Sequence, residues 1–258
     1  MIGQQKLRSK IDSYTLSTLP HSILLVGERG SEQDEVCEYI SEKFNLPLYD
    51  ITELISEEYI NEIYSMPNFG LYVINSDKFS EVSTEKKQNI LLKFFEEPNA
   101  YMYIVFVCSS KYNLLETIQT RSYELQMDLY SRDILLPMCT NNPELELKIA
   151  STPGMVEELN HIDIDGLKLL CENIVTRINV ANYQNTLTIP SKINFKDEYD
   201  KYPLWAFIRM LGVVMLEKRS NLYWLVEKFS KKYNLLLDKK GYLENLLTEL
   251  WIEARNGY

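Results

Sequence analysis

An α/β core followed by an all-α half is the fold this sequence predicts, and three observations predict it. From residue 1 to about 126, short apolar runs alternate with amphipathic helical segments. The first run is joined to its helix by a glycine turn, in HSILLVGERGSEQDEVCEYI from His21 to Ile40. After Met127 the strand signals stop and amphipathic helices take over. Apolar strands alternating with crossover helices call for a parallel sheet covered on both faces.

The elements follow in order. ILLV, Ile23 to Val26, is a buried strand, and a helix is expected from about Ser31 to Phe44. LPLYDI supplies a short strand, and SEEYINEIYSM a helix with Tyr59, Ile60, Ile63 and Tyr64 on one face. GLYVI is the next strand. A helix through STEKKQNILLKFFEE stops before Pro98, because proline disfavours helical geometry in the residue before it. YMYIVFVCS is rich in β-branched and aromatic residues, LLETIQTR is a short helix, and SYELQM an alternating strand. Beyond Met127, SRDILLPMC, NPELELKIAS and TPGMVEELN predict short helices, with Ser131 and Asn142 or Pro143 as caps. Longer helices are expected in IDGLKLLCENIVTRI, YPLWAFIRMLGVVMLEKR, NLYWLVEKFSKKYNLLL and KGYLENLLTELWIEAR. No internal repeat or low-complexity linker separates the pieces. The division expected is a core over 1–126, a helical lid over 127–163 and a helical domain over 164–258.

Composition narrows the function. At 45% apolar and 12% aromatic the chain has ample material for cores. With 27 basic against 37 acidic residues the net charge is −10, a poor balance for gripping phosphate backbones alone. Cys37, Cys108, Cys139 and Cys171 lie far apart with no C-x-x-C pair, and His21 and His161 are the only histidines. No metal site is expected from that set, and buried thiols in a reducing cytoplasm are. MIGQQKLRSKI lacks a signal-peptide core. LWAFIRMLGVVML is too short for a bilayer and contains Arg209, so no membrane association is expected.

The glycine turn has the frame of a phosphate loop, G-x-x-x-x-G-K-[ST]. Gly27 opens it and Gly30 lies within it. In that register Glu32 stands at the second glycine, Gln33 at the lysine and Asp34 at the magnesium-binding hydroxyl. Like charges about 4 Å apart cost roughly 4 kcal/mol near a protein surface. A helix N-terminus attracts an anion by only about 0.3–1 kcal/mol. With Glu28, Glu32 and Asp34 in the loop and only Arg29 against them, repulsion of a triphosphate wins. No nucleotide cofactor is expected.

QNILLKFFEEPNAYMYIVFVCSSKYNLLETIQTRS resembles the clamp-loader branch of the AAA+ proteins. There a helix ending N-A-L-L-K-x-L-E-E-P precedes a sensor strand, and a loop then reaches T-I-x-S-R-C. Asn89, Leu91, Leu92, Lys93, Glu96, Glu97 and Pro98 match the first element, and Thr117, Ile118 and Arg121 the second. IGQQKL is similar to the family's G-Q opening and HSILLVG to its approach to the phosphate loop. STPGMVEEL is similar to the second-sensor helix, and KGYLENLLTELW weakly to the last collar helix, so the resemblance runs over almost the whole chain. It implies an AAA+ nucleotide-fold core, a helical lid and a C-terminal collar.

The departures are specific. Aligning INSDKF with the family's D-E-A-D-x-L puts Ile74 at the Walker B aspartate, Asn75 at the glutamate and Asp77 at the final, structural aspartate. Walker B needs those carboxylates for magnesium and for the attacking water. Cys108, Ser109 and Ser110 replace the polar first sensor, and Gly154 stands at the phosphate-sensing arginine. Arg121 is retained. In this family that arginine reaches the ATP site of the adjacent subunit, where such fingers are worth roughly 10³–10⁵ in rate. The resemblance is therefore strongest to the delta-prime branch, whose members do not hydrolyse ATP but complete a neighbour's site. It implies assembly with clamp-loader ATPase subunits, action on a sliding clamp, and primer-template DNA contacted only through the assembled complex. Residues 45 to 70 lack the four-cysteine zinc module that many such members carry.

Ordinary readings stand beside these. Arg121 is otherwise a surface ion-pair residue, and Glu96–Glu97 a helix end, not an acid/base pair. Cys108 is otherwise a packed strand-end thiol, and His161 has no nucleophile near it in sequence. Trp205, Trp224 and Trp251 serve as core residues or lie at subunit seams. Lys228, Lys231, Lys232, Lys239 and Lys240 make a solvated helix face, or else a surface for DNA or a partner's acidic face. Two other functions stay open: a diverged active AAA+ ATPase, separated by a nucleotide titration, and a DNA-binding replication accessory protein, separated by salt-dependent DNA binding.

Overall fold

The computed structural model describes residues 2–76, 78, 82, 84–96, 99–178, 193–194, 202–218, 221–230 and 239–255, the side chains of 177, 178, 193, 194 and 239 excepted. Asp77, Glu97, Pro98, Lys231 and Lys232, each assigned a place in the sequence reading, lie outside them. The chain forms two compact units, residues 1–134 with 152–154, and residues 135–151 with 155–258.

The first unit opens with α1 (Gln5–Asp12) and continues through β1 (Ser22–Val26), α2 (Gln33–Phe44), β2 (Leu48–Asp50), α3 (Glu57–Ser65) and β3 (Gly70–Asn75). Then come α4 (Glu85–Glu96), β4 (Met102–Cys108), α5 (Glu116–Arg121) and β5 (Tyr123–Gln126). All five strands are parallel, in the order β2-β3-β4-β1-β5. Every residue of β1, β3 and β4 is buried, which explains their unbroken apolar runs: both faces of the sheet are covered. Ile23, Leu25, Val73, Val105 and Val107 pack with Leu7 and Ile11 of α1 and Val36 and Ile40 of α2. Leu24, Ile74, Ile104 and Phe106 point the other way, onto Ile60 of α3, Leu91 and Phe94 of α4, and Ile118 of α5. The strands and helices expected over this core are present in their expected order, and α1 precedes them where no helix was expected.

Two local features anchor this core. Ser56 caps α3 by accepting from the Tyr59 amide at 3.2 Å. Gln4, within the IGQQKL motif, is 1% exposed; its amide group donates to the Asp128 carbonyl at 3.0 Å and accepts from the Asp128 amide at 2.7 Å. That reciprocal pair ties the start of α1 to the segment leaving β5.

Beyond β5 come α6 (Arg132–Leu135), a 3-10 turn at Leu136–Met138, α7 (Pro143–Ile149), α8 (Pro153–Asn160) and α9 (Ile164–Ile178). α10 (Leu204–Glu217), α11 (Tyr223–Ser230) and α12 (Lys239–Arg255) complete the helices described. Asn142 caps α7 as expected, its side chain accepting from the Leu145 amide, with Pro143 in the first turn. Glu146, fully buried, accepts from the amides of Asn141 and Asn142 through Oε1 at 3.0 Å each, so its carboxyl closes the same helix end. Arg209 of α10 donates to the Ile149 carbonyl at 2.8 Å and to Ser151 Oγ at 2.9 Å. The cation inside the apolar LWAFIRMLGVVML run is thus satisfied within its own unit. Trp205 is buried and its indole N–H donates to Glu158 at 2.7 Å, whereas Trp224 is about half exposed. A two-residue parallel ladder, β6 (Ile193–Asn194) with β7 (Tyr202–Pro203), precedes α10 among the described residues. The ladder has no counterpart in the sequence reading, because two residues are too few for an alternating pattern to register. No helix among the described residues is long and apolar enough to cross a membrane.

Candidate functional site: a self-filled phosphate loop and an exposed arginine

β1 delivers the chain to Gly27, whose amide donates to the Cys108 carbonyl at 3.1 Å across the sheet's end. There is no space for a side chain at Gly27, since a Cβ would stand 2.4 Å from Met127 Cγ. Gly30 has φ +74, the left-handed region that glycine enters without penalty. Glu32 has φ +60 and ψ +38, so position 32, where the motif calls for glycine, takes a left-handed conformation although it carries a side chain. That turn is why α2 begins at Gln33, two residues later than expected.

The substituted residues fold back on the loop. Gln33, 8% exposed, donates through Nε2 to the carbonyls of Gly27 at 3.0 Å and Glu28 at 3.2 Å. The motif's lysine would reach outward to phosphate; this amide fills the loop's own interior. The Tyr130 hydroxyl donates to the Ser31 carbonyl at 2.8 Å and the Thr152 hydroxyl to the Arg29 carbonyl at 2.8 Å. The Gly154 amide donates to the Gly30 carbonyl at 3.0 Å. Five successive carbonyls, Gly27 to Ser31, therefore accept from this unit's own groups.

Charge points the same way. Glu32 Oε2 is buried with no hydrogen-bond partner. Burial, with the nearby charge of Glu35, holds the Glu32 carboxyl above its ordinary value. Burial also pushes the Tyr130 hydroxyl up to about 12, with Glu32 and Glu35 adding to the shift. Asp34, where magnesium's hydroxyl ligand would sit, is ion-paired to Lys78 at 2.9 Å, and Lys78 also lies 3.8 Å from Asp50. Burial lowers the affinity of Lys78 for its proton, but the hydrogen bond and charge of Asp34, with Asp50, outweigh it and hold the ammonium above its usual value. The sequence reading did not weigh Lys78. No motif marks it, and only the fold brings it to Asp34.

At the Walker B positions, Ile74 is fully buried in the core and Asn75 is 5% exposed. Asn75 Oδ1 accepts from the Lys78 amide at 3.2 Å and its own amide donates to Thr52 Oγ1 at 2.9 Å, so it shapes the turn after β3. Cys108 is buried at the end of β4. The residues present do not fit a magnesium triphosphate. The lysine position is committed to loop carbonyls, the hydroxyl position is a paired carboxylate, and Gly154 occupies the approach to Gly30.

Arg121 lies elsewhere in this unit, at the last residue of α5. Its side chain is 43% exposed, with Nη1 3.5 Å from Glu96 Oε1. Lys228 and Lys240, from the basic run, pair with Glu249 at 3.4 Å and Glu244 at 4.0 Å, the arrangement of a solvated helix face.

A gamma subunit-related protein of DNA polymerase III from Thermotoga maritima superposes with a TM-score of 0.47 at 18% identity, over 98% of this chain and 99% of that one. The RuvB Holliday junction branch migration motor of Thermotoga maritima gives 0.44 at 14% identity, over 90% of this chain and 76% of that one. No curated protein matches. Residues 50–130, which run from the end of β2 past β5 and include Arg121, match the family model described as DNA polymerase III, delta subunit. The matched segment covers 81 of the chain's 258 residues and carries α3, β3, α4, β4, α5 and β5.

Proposed function

We propose that this chain is a non-hydrolysing, delta-prime-like subunit of a clamp loader in DNA replication. One contrast carries the reading: Arg121 stands 43% exposed while the chain's own phosphate loop is filled by Gln33, Thr152 and Gly154. On this reading the loop survives as a scaffold, and its strand and helix hold the core that presents α5. Arg121 enters the ATP site of a neighbouring ATPase subunit. There its planar guanidinium meets the charge that spreads over the transferring phosphoryl group.

The partners are clamp-loader ATPase subunits and, through the assembly, a sliding clamp and primer-template DNA. The match over residues 50–130 supports membership of such an assembly, and the net charge of −10 argues against DNA binding by the chain alone. The protein works in the cytoplasm, without a membrane and without a nucleotide of its own.

The test is reconstitution of the partner ATPase with the wild-type chain and with Arg121→Ala. Loss of a finger costs roughly 10³-fold or more at the site it serves, so stimulated turnover collapses. Equal turnover with both proteins removes the role assigned to Arg121.

A further inference from the structure

Arg121 is carried by a helix of only six residues, and α4 holds that helix at three points. Near its start, Gln88 of α4 is 2% exposed and faces the turn that leads into α5. Gln88 Oε1 accepts from the Leu115 amide at 2.6 Å and its Nε2 donates to the Asn113 carbonyl at 3.0 Å. Leu115 is the residue immediately before α5. Ile118, fully buried, fixes the middle of the helix against Leu91 and Phe94. At the far end Glu96, the last residue of α4, meets Arg121. From Gln88 to Glu96 is eight residues and from Leu115 to Arg121 is six, rises of about 12 and 9 Å in helical geometry. The two helices therefore run side by side with their C-terminal ends together.

A carboxylate is out of place on its own helix at that position. Glu96 sits where the last carbonyls of α4 already carry partial negative charge, and Arg121 sits at the equivalent end of α5, where a cation belongs. Glu96 thus gives its own helix nothing electrostatically, and the guanidinium is its compensating partner. The contact, through one Nη1 at 3.5 Å, is long and monodentate. A guanidinium has five N–H donors in a rigid fork, so one such contact orients the group and leaves donors for a second anion.

We propose that Glu96 is a positioning residue for Arg121, holding the guanidinium at the end of α5 so that it enters the neighbour's site already aimed. The proposal rests on the finger role given to Arg121 above. Exposed ion pairs bias a side chain only a few-fold. Glu96→Gln therefore lowers stimulated turnover by about two- to fivefold, far less than Arg121→Ala. It lowers kcat and leaves KM for ATP unchanged, because the guanidinium acts on charge that develops in the transition state.

The experiment is a double-mutant cycle in the complex reconstituted with the ATPase subunits that co-purify with this chain. Arg121→Ala, Glu96→Gln and the double variant are compared by kcat and KM. The two- to fivefold loss is expected with Arg121 present and absent once it is alanine. A loss of equal size in both backgrounds, or none with Arg121 present, overturns the proposal. Arginine side-chain NMR on the isolated chain reads the contact without any partner. The Arg121 Nη–H₂ signals are expected to exchange faster with water in Glu96→Gln than in wild type, and equal exchange overturns the proposal independently. If Arg121→Ala leaves turnover intact while the NMR difference is present, the mount stands and the finger role falls.

Discussion

The Gly154 amide donates to the Gly30 carbonyl at 3.0 Å, and a Cβ added to Gly154 would lie 2.8 Å from Gly30 Cα and 3.2 Å from its carbonyl oxygen. Both atoms are backbone and cannot swing aside. In an ordinary helix, glycine to alanine gains about 1 kcal/mol. Overpacking against a fixed backbone costs about 1–3 kcal/mol, so the clash outweighs the propensity. Gly154→Ala is expected to lower the unfolding midpoint in urea, by a net loss of up to about 2 kcal/mol. A raised midpoint would show that the two backbones are not in contact.

The same contact makes the nucleotide site hard to restore. Glu32→Gly, Gln33→Lys and Asp34→Thr together rebuild the phosphate-loop sequence. They leave Gly154 against Gly30, the Thr152 hydroxyl on the Arg29 carbonyl, and Ile74 where Walker B needs a carboxylate. The triple variant is expected to show no magnesium-dependent ATP binding by calorimetry. Saturable binding that requires magnesium would mean the loop opens more readily than these contacts allow.

The core was legible in the sequence because each of its elements repeats a simple period. ILLV and YMYIVFVCS are continuous apolar runs, and both became strands buried on both faces. The Ile60 and Tyr64 face of α3 and the Leu91 face of α4 follow the helical period onto the same sheet. That Glu32, Gln33 and Asp34 depart from the phosphate-loop pattern was equally plain, since a motif states which residue type belongs at each position. What replaced them was not legible. Thr152 and Gly154 reach Arg29 and Gly30 across more than 120 residues of chain, and Lys78 reaches Asp34 across 44. Such pairs carry no spacing signal. The start of α2 was misplaced for a local reason: Glu32 holds a left-handed conformation that a propensity argument assigns to glycine.

That conformation carries its own prediction. A non-glycine residue held at positive φ costs on the order of 1 kcal/mol, and Glu32 in addition buries Oε2 without a partner. Glu32→Gly relieves both at once, against a smaller loss from the freer unfolded chain. The variant is expected to be more stable than wild type by about 1 kcal/mol at neutral pH, measured by urea unfolding. A less stable variant would mean that the hydrogen bonds the carboxyl receives from the Ile2 backbone and the Tyr130 side chain outweigh the backbone strain.

Glu32 also sets a pH dependence, and its sign follows from linkage. Burial first, and Glu35 second, raise the carboxyl's folded value above its ordinary one. Between the unfolded and the folded value the native state binds more protons than the unfolded chain, so stability falls as pH rises through that window. Below the window the group is protonated in both states and contributes no difference; above it the loss is complete and constant. Glu32→Gln keeps the shape and the φ value but cannot ionise. The difference in unfolding free energy, variant minus wild type, is therefore expected to grow from pH 4 towards neutrality and then level off. A difference that stays flat from pH 4 to 8, or shrinks, would mean that the Glu32 carboxylate is as well solvated in the folded loop as in the unfolded chain.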